Sequence, residues 1–323
     1  MIYASGGLFI RLVTAPWSFH RKAEPLQLLR VCNRSKAFLL SETGSQEQMT
    51  PEGSPATVLI TSTKDEASVT IAKGLVKHQG FESTEIVLMG NPVYQKGSLL
   101  LVTIDTELIS PPDLDAYFNP QAYVFLSRHY AESGIPSLTV HTTGNFTGEP
   151  VLGGRPREVG GVNPDLQKNY LLALSKRKDD LKDYEITIEA THHGPTSLKR
   201  PVLFVELGSS EKNWGDERAG AVMGDALVEA LTQGRSWEKV ALAFGGTHYP
   251  AKFSRMLLES DMALSCVVPK HSLDGVDSEM FGQMIQKTSK FPRYVALDWK
   301  GLGPHKEKLM GLAAQFALEV IRV

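Results

Sequence analysis

The sequence contains very little cysteine: Cys32 and Cys266 are the only two among 323 residues. Two cysteines exclude a disulfide framework and a cysteine-rich zinc finger, and such a low content is typical of proteins from a reducing compartment. Any zinc ion bound by this chain would therefore be held by histidine and carboxylate side chains.

Long hydrophobic runs and an excess of charge are also missing. No stretch approaches the roughly 18–20 apolar residues that cross a bilayer, so we expect no membrane partner. The formal net charge is −2, so a nucleic acid would have to be bound by a local basic patch. Hydrophobic residues make up 42% of the chain, which is ample for the core of one large α/β domain or two small ones.

Several familiar catalytic motifs are absent as well. The sequence has no HExxH helix and no GxSxG elbow, which argues against the common metalloproteases and α/β-hydrolases. It has no GxGxxG after the first expected strand and no P-loop, which argues against NAD and ATP chemistry.

The amino-terminal segment differs from the rest of the chain. Residues 1–41 carry six basic side chains and one acid, a composition typical of an organelle transit peptide. Met49 could itself be a start, so an upstream extension is the alternative. We expect residues 1–54 to be a leader and linker outside the fold, and 55–323 to form the folded domain. The expected location is cytoplasmic, with plastid or mitochondrial targeting through residues 1–48 as an open possibility.

From Ala56 onward, short apolar β-rich runs alternate with helical stretches. This alternation predicts an α/β fold: a single domain with a mixed, mostly parallel sheet covered by helices on both faces. Strands are expected at 56–62, 84–90, 98–104, 122–128, 137–143, 184–192, 201–208, 239–246, 263–270 and 294–299. Helices are expected after Asp65, from Asn163, and over 216–231, 278–289 and 304–321. The glycine-rich stretch 144–162 is expected to be a long functional loop.

Polar residues cluster where the expected strands end. Six of the nine histidines lie at or just past the carboxyl end of a strand: His129, His141, His192, His193, His248 and His271. In open α/β sheets these ends form the ligand crevice. The pattern therefore predicts one shared site to which several strands contribute.

The pair His192-His193 follows an apolar strand and precedes Gly194-Pro195. Strand alternation predicts that the two imidazoles point apart, with His193 in the crevice on the same face as Glu189 and Thr191. Glu189 could then orient an imidazole or a metal-bound water. The Gly-Pro turn would end the strand and let another segment or a ligand approach closely.

The stretch GGTHYP at 245–250 follows another apolar strand. Its glycines would leave backbone N–H groups free to hold a phosphate or a carbonyl oxygen. Two chemistries remain open from the residues alone. One is a catalytic zinc held by histidine and carboxylate; the other is a metal-free route with a histidine base and a backbone oxyanion hole.

Several of these stretches together resemble one known family. SRHYAESGIPSLTVHTTGN (127–145), EATHHGPTS (189–197), ELGSSEKNW (206–214), FGGTHYP (244–250) and VVPKH (267–271) resemble the archaeal and plant type of D-aminoacyl-tRNA deacylase. The resemblance covers about residues 56–323. It implies hydrolysis of the ester that joins a D-amino acid to the 3′ end of tRNA, a translation quality-control and D-amino-acid detoxification activity. It also implies dependence on Zn²⁺ and a fold similar to peptidyl-tRNA hydrolase and phosphorylases.

The combined interpretation assigns a role to each motif residue. The expected catalytic residues are His193, His192, His248, Glu189 and Thr191. The expected substrate-binding residues are Gly245, Gly246, Thr247, His129, Arg128, His141, Asn145, Lys270 and His271. The expected zinc ligands are His192, His193, His248 and His129. The candidates for contact with the tRNA backbone are Lys199, Arg200, Arg155, Arg157, Lys252, Arg255, Lys270 and Lys300.

Two other functions stay open at this point. One is a zinc-dependent amide hydrolase or phosphorylase-like enzyme that acts on a small molecule. The other is an inactive tRNA-binding module on the same fold.

Overall fold

The structure is a computed structural model, and it describes residues 56–148, 150 and 152–323. The expected leader and linker, residues 1–54, and the targeting segment 1–48 lie outside the described residues, so both remain predictions. Among the described residues, we find no helix with the length and apolar character needed to cross a membrane.

The strands of the described chain fall into three sheets. In chain order they are β1 Thr57–Ser62, β2 Glu82–Leu88, β3 Asn91–Lys96, β4 Leu99–Ile104, β5 Ala122–Arg128, β6 Ser137–His141, β7 Gly144–Asn145, β8 Glu158–Val159, β9 Glu185–Ile188, β10 Val202–Leu207, β11 Lys239–Phe244, β12 Met262–Val268, β13 Tyr294–Leu297 and β14 Glu319–Arg322.

Four of the seven helices in the described residues start at a side chain that caps the helix N-terminus. They are α1 Glu66–His78, α2 Pro164–Ser175, α3 Glu211–Trp214, α4 Glu217–Gln233, α5 Ala251–Glu259, α6 Ser278–Gln286 and α7 Lys306–Gln315. Side chains of Asp65, Asn163, Asp216 and Asp277 accept hydrogen bonds from N–H groups in the first turns of α1, α2, α4 and α6. These caps satisfy donors that the helix itself leaves unpaired, which fixes where these four helices begin.

The larger sheet has eight strands in the order β2-β3-β4-β1-β5-β10-β6-β9. The central strands β4, β1, β5 and β10 are parallel. The sheet becomes mixed at β6, which runs antiparallel to β10, and β9 follows β6 in parallel. This reversal determines where the histidines meet.

The smaller sheet is fully parallel, with the order β12-β11-β13-β14. Its carboxyl end abuts the end of β9 in the larger sheet. The Ala190 N–H donates to the carbonyl of His248 at 2.8 Å, and the Thr191 N–H donates to the carbonyl of Val267 at 2.8 Å. These bonds fix the segment after β9 against the loop after β11 and the end of β12.

The apolar core is continuous across both sheets. Residues of α1, α2, α4 and α5 pack with the inward faces of β1, β5, β10, β11 and β12 in one large buried cluster. A second cluster lies between the smaller sheet and α6 and α7. A third covers the opposite face of the larger sheet with residues such as Leu108 and Leu114 from the connection between β4 and β5.

The predicted α/β class with a mixed, mostly parallel sheet is confirmed, and the details differ in four places. The smaller sheet is separate from the larger one. The expected strand 184–192 ends at Ile188. The stretch 144–162 contains the short hairpin of β7 and β8. The expected helix 304–321 ends at Gln315, because Ala317 adopts a left-handed φ of 53° and the chain then pairs with β13 as β14.

Candidate active site

Five of the six strand-end histidines converge, as the sequence predicted. The His192 ring centroid lies 4.2 Å from that of His141, 4.4 Å from that of His193 and 4.6 Å from that of His248. His129 joins the group through two buried carboxylates, Glu189 and Glu206. We call these seven residues the histidine cluster. The sixth histidine, His271, is exposed and lies at its margin.

The cluster lies across strand β10 and not along one carboxyl edge of a sheet. His129 follows β5, and its N–H donates to the carbonyl of Leu207 near the end of β10. His141 ends the antiparallel strand β6 and pairs with Phe204 earlier in β10. Glu206 lies in β10 between Phe204 and Leu207, and its carboxylate contacts the imidazoles of both His129 and His141. The histidines therefore share one site although their strands run in opposite directions.

Glu206 and Glu189 hold His129 between them. The Nδ1 atom of His129 lies 3.3 Å from Oε2 of Glu206 and 3.1 Å from Oε1 of Glu189. The other Glu206 oxygen, Oε1, lies 3.3 Å from Nε2 of His141. The ring Nδ1–H of His129 is aligned with Glu206, so Oε1 of Glu189 is buried without a hydrogen bond from any residue that the structure describes. Such an oxygen is available to a further ligand.

These contacts shift the charges of the cluster. Burial opposes ionisation of His129, but the neighbouring Glu189 and Glu206 outweigh it and raise the pKa of His129 to about 10. Burial likewise opposes the charge of His141, and Glu206 raises its pKa. Burial opposes both carboxylates, yet contacts with His129 and His248 hold the pKa of Glu189 well below its usual value. Contacts with His129 and His141 lower the pKa of Glu206 despite burial and the Glu189 charge. Without a bound ligand, the inner part of the cluster is a network of ion pairs.

The prediction that His192 and His193 point apart is wrong. Regular strand geometry ends at Ile188, and His193 has a left-handed φ of 43°. Alternation therefore does not extend to the pair, and both imidazoles enter the cluster. Their exposure is also opposite to the expectation: the side chain of His192 is 26% exposed and that of His193 is 8% exposed.

The expected close approach at Gly194-Pro195 is confirmed. A Cβ on Gly194 would lie 2.3 Å from the backbone nitrogen of Gly154. Only glycine fits there, because any side chain would collide with the backbone of the 153–154 turn.

Each imidazole of the pair donates a proton to a backbone carbonyl. Nδ1 of His192 lies 2.8 Å from the oxygen of Ala190, and Nδ1 of His193 lies 2.6 Å from the oxygen of Gly194. These bonds leave the Nε2 lone pairs of both imidazoles without a hydrogen-bond donor in the described part of the chain. Burial, reinforced by the charge of His141, lowers the pKa of His193 to about 4. Burial and the neighbouring His141 and His193 also lower that of His192. Two neutral imidazoles with fixed tautomers suit metal ligation.

His248 forms the exposed side of the cluster. Its Nε2 lies 2.7 Å from Oε2 of the buried Glu189, and its side chain is 37% exposed. The next residue, Tyr249, packs edge-on against both His248 and His129, and its hydroxyl lies 3.2 Å from Nε2 of His129. Both ring nitrogens of His129 therefore have partners. In His192 and His193, by contrast, only Nδ1 has one among the described residues.

The loop before His248 presents unpaired donors. Gly245 and Gly246 have left-handed φ values of 102° and 78°. The N–H groups of Gly246, Thr247 and His248 have no acceptor among the residues that the structure describes. Lys270 is anchored to this loop through a bond from its N–H to the Gly246 carbonyl. The predicted substrate-binding residues 245–247 therefore lie beside the histidine cluster.

Other predicted site residues have structural contacts instead. The Thr191 hydroxyl accepts from the Val267 N–H at 2.9 Å and bonds to the Thr142 hydroxyl at 2.7 Å, so it joins the two sheets and is not free for catalysis. The Asn145 amide donates to the carbonyls of Gly153 and Arg155, so it shapes the loop. Arg128 pairs with Glu107 at 3.3 Å outside the cluster.

The sequence reasoning did not select Glu206 or Tyr249. Glu206 carried a usable signal, because it is the only acid within the apolar run VLFVEL (202–207). A carboxylate in a fully buried strand needs a partner or a function. Tyr249 directly follows His248 in the motif GGTHYP, but nothing in the sequence shows that it reaches His129.

The side chains present fit a metal ion of the zinc type. Three groups of potential donors bring their ligand atoms within 4.8 Å of one another: His141 with His192 and His193, Glu189 with His192 and His248, and His129 with Glu189 and Glu206. Imidazole and carboxylate donors are the expected set in a protein with two cysteines. The first group contains His192 and His193, whose Nε2 atoms have no hydrogen-bond partner within residues 56–148, 150 and 152–323.

Comparison with known proteins identifies the family of this chain. The family model for D-aminoacyl-tRNA deacylase matches residues 116–321. A D-aminoacyl-tRNA deacylase of Cenarchaeum symbiosum is 40% identical over 221 residues, which is 68% of this chain and 85% of that protein. One of Pyrococcus horikoshii is 35% identical over 275 residues, 82% of this chain and 99% of that protein.

A solved structure shares the architecture. The crystal structure of a conserved protein described as of unknown function superposes with a TM-score of 0.76 at 27% identity, over 82% of this chain and 94% of the other. The match of the family model over the region that carries the histidine cluster, together with relatives aligned over almost their full length, places this chain in the D-aminoacyl-tRNA deacylase family.

Proposed function

We propose that this protein hydrolyses the ester bond of D-aminoacyl-tRNA and releases tRNA and the D-amino acid. The observation that carries the proposal is the buried histidine cluster in a member of this family. The reaction would clear tRNA charged with D-amino acids, which is a quality-control step of translation. An aminoacyl ester is already activated, so the enzyme needs a water activator and an acceptor for the proton more than help for the leaving group.

We assign the zinc-binding role to His192, His193 and His141. The first two present Nε2 atoms without a hydrogen-bond partner among the described residues. His141 completes a set of three imidazoles within ligand distance of each other, and its Nε2 would exchange the contact with Glu206 for the metal. When bound, zinc supplies Lewis-acid activation of water by lowering its pKa towards ~7. His129, an expected ligand from the sequence, lies outside this group of three imidazoles and is held by Glu206 and Tyr249.

Proton transfer is assigned to His248. Its Nε2–H donates to Glu189, which leaves Nδ1 as the proton acceptor on the exposed side. As water attacks the ester carbonyl, its proton passes to Nδ1; when the carbon–oxygen bond to the ribose breaks, the same proton passes to the leaving oxygen. The buried carboxylate of Glu189 stabilises the intervening imidazolium.

The 3′ end of the tRNA is the part of the substrate that this site would hold. The free N–H groups of Gly246 and Thr247 can donate to an anionic oxygen beside His248. Of the basic candidates, the side chains of Arg155, Arg157, Arg200, Lys252 and Arg255 already bond to other residues. The side chains of Lys199, Lys270 and Lys300 form no ion pair within the described part of the chain, so they are the better candidates for phosphate contacts. Of these three, Lys270 is bonded to the loop before His248.

The test is deacylation of D-Tyr-tRNA and L-Tyr-tRNA, with the purified protein treated or not treated with a chelator. We expect release of D-Tyr only, loss of activity after chelation, and recovery on addition of zinc. Binding of tRNA without turnover would indicate an inactive binding module. Inertness towards both substrates would leave the small-molecule hydrolase or phosphorylase, and activity that survives complete zinc removal would refute the metal assignment.

A further inference from the structure

The smaller sheet contains a topological switch point beside the histidine cluster. From β11 the chain crosses to β12 on one side and then returns to β13 on the other side of β11. In open parallel sheets, ligands bind outside the carboxyl ends of the two strands where the winding direction changes. In this protein those strands are β11 and β13, so the switch point lies between the loop 245–248 and the loop 298–301.

Asp298 is the polar side chain at this switch point. Its Oδ1 accepts from Nζ of Lys252 at 2.7 Å, whereas Oδ2 has no hydrogen-bond donor among the described residues. Oδ2 lies beside two glycines: a Cβ would come within 3.8 Å of it at Gly246 and within 3.1 Å at Gly301. The side chain is 15% exposed. The ion pair with Lys252 thus holds the carboxylate in place. Gly246 and Gly301 have no side chains that would cover Oδ2.

The uncovered oxygen and the free amides form a complementary pair. A carboxylate oxygen only accepts hydrogen bonds, and the adjacent N–H groups of Gly246 and Thr247 only donate. A ribose that carries an ester offers one free hydroxyl donor next to the ester and acceptor oxygens around it. The switch point therefore presents the groups that a terminal nucleoside requires.

The switch point also lies close to His248, the proposed proton acceptor. Gly246 and His248 are two residues apart, so their Cα atoms are separated by at most about 7 Å. The hydroxyl next to a ribosyl ester is only one carbon away from the esterified position. A ribose whose ester carbonyl faces His248 can therefore place its neighbouring hydroxyl at the β13 loop.

We propose that Asp298 binds the free hydroxyl of the terminal ribose of the tRNA and thereby positions the ester. Oδ2 accepts the hydrogen bond, and Lys252 holds the carboxylate in the required orientation. The inference rests on the proposed deacylase function. It makes Asp298 a substrate-binding residue, and the four-stranded sheet becomes the part of the fold that selects a ribonucleotide end.

The test combines Asp298→Asn with a change in the substrate. D-Tyr-tRNA ending in adenosine is compared with the same tRNA ending in 2′-deoxyadenosine, in which the neighbouring hydroxyl is missing. Because a hydrogen bond to a charged group is involved, wild-type kcat/KM should fall about 10–100-fold on the deoxy substrate. Asp298→Asn should show a similar loss on the normal substrate and little further loss on the deoxy substrate. If Asp298→Asn remained as sensitive to the missing hydroxyl as the wild type, the proposal would be wrong.

Two further variants separate binding from structure. Lys252→Met removes the ion pair but leaves Oδ2, so it should retain sensitivity to the hydroxyl even if its overall rate falls. Asp179→Asn removes an exposed carboxylate on the far connection between α2 and β9 and should match the wild type on both substrates. If Lys252→Met hydrolysed the normal and the deoxy substrate equally well, sensitivity to the hydroxyl would depend on the ion pair, and the role of Oδ2 would be refuted.

Equilibrium binding of uncharged tRNA distinguishes failure of this proposal from failure of the deacylase function. Wild-type protein should bind tRNA ending in adenosine more tightly than tRNA ending in 2′-deoxyadenosine, and Asp298→Asn should bind both equally. This comparison requires no hydrolysis. Absence of turnover with an intact binding preference would refute only the proposed reaction, and equal binding of both RNAs by active wild-type protein would refute only the Asp298 subsite.

Discussion

Glu189→Gln is the substitution that most directly tests the proposed proton transfer. Oε2 of Glu189 lies 2.7 Å from Nε2 of His248, and Oε1 lies 3.1 Å from Nδ1 of His129. Glutamine has the same shape and can still accept from His248, but it carries no charge. The variant therefore removes the electrostatic support of the imidazolium and keeps the packing of a fully buried side chain.

The expected effect follows from the difference between two kinds of hydrogen bond. A bond to a charged group contributes about 1.5–3 kcal/mol, and a neutral one contributes about 0.5–1.5 kcal/mol. The difference of about 1–2 kcal/mol corresponds to a roughly 5–30-fold loss in rate, at 1.36 kcal/mol per factor of ten. Because the glutamate acts through His248 and not on the substrate, the loss should appear in kcat while KM for D-Tyr-tRNA stays close to wild type.

The assay is steady-state deacylation of D-Tyr-tRNA, with thermal unfolding of each variant measured in parallel. Glu229→Gln is a matched control, because Glu229 also contacts two basic side chains, Lys176 at 2.6 Å and Arg177 at 2.8 Å, but lies on α4 outside the cluster. It should leave kcat unchanged. An unchanged kcat in Glu189→Gln, or a loss confined to KM, would refute the assignment of the Glu189–His248 pair to proton transfer.

Other expectations follow from the same structure. His192→Ala should lower zinc content and reduce kcat by more than the roughly 10–100-fold that loss of an outer-shell partner of a metal ligand costs. The buried His193→Ala should do the same and also lower the melting temperature. Zinc analysis and calorimetry would check both variants, and full zinc retention in either would contradict the ligand set. Lys270→Glu should raise KM for tRNA and flatten its salt dependence without changing kcat, which a titration of rate against salt would test; an unchanged KM would contradict the phosphate contact. Burial, with the charge of Arg235, lowers the pKa of Lys168 to about 8 from 10.5, so the unfolded chain binds more protons between these values and stability should rise with pH across that window. In urea unfolding, Lys168→Met should lose this rise of the unfolding free energy with pH. If the variant and the wild type had the same dependence of stability on pH, the link between Lys168 and stability would be refuted.

Much of the fold was readable because burial and capping act locally. The strand 122–128 was expected with the bounds that β5 has, since both of its faces are buried and its apolar run is continuous. Asn163-Pro164 marked the start of α2, because the cap and the proline each suit one end of a helix. Local rules failed at the carboxyl terminus, where the last turn of the expected helix pairs with β13 as β14. That pairing depends on a neighbour 25 residues earlier in register, Tyr294 with Glu319, which local propensity does not contain.

The sequence predicted that histidines form the candidate site, but it did not predict how their side chains are arranged. Histidines at strand ends predicted convergence, and five of them converge. Alternation along residues 189–193 failed, because the chain leaves the sheet at Ile188 to bond with the second sheet through Ala190 and Thr191. The facing of His192 and His193 is set by that docking between sheets. No period in the local sequence could have encoded it.

The histidine cluster is difficult to explain as a device for stability. Burying a charge costs several kcal/mol even when it is paired, and apolar residues of similar size in place of buried ion pairs often leave a protein as stable or more so. Here the carboxylates of Glu189 and Glu206 are almost fully buried together with His129 and His141, beside a sheet whose buried side chains are mostly apolar. Phe204 stacks on His141 and packs edge-on against His193, so apolar side chains of similar size could fill the same space. We infer that the arrangement is kept for catalysis although it lowers the stability of the fold. His192 and His248 are the most exposed imidazoles of the cluster, so they are the ones that a substrate from solution can reach.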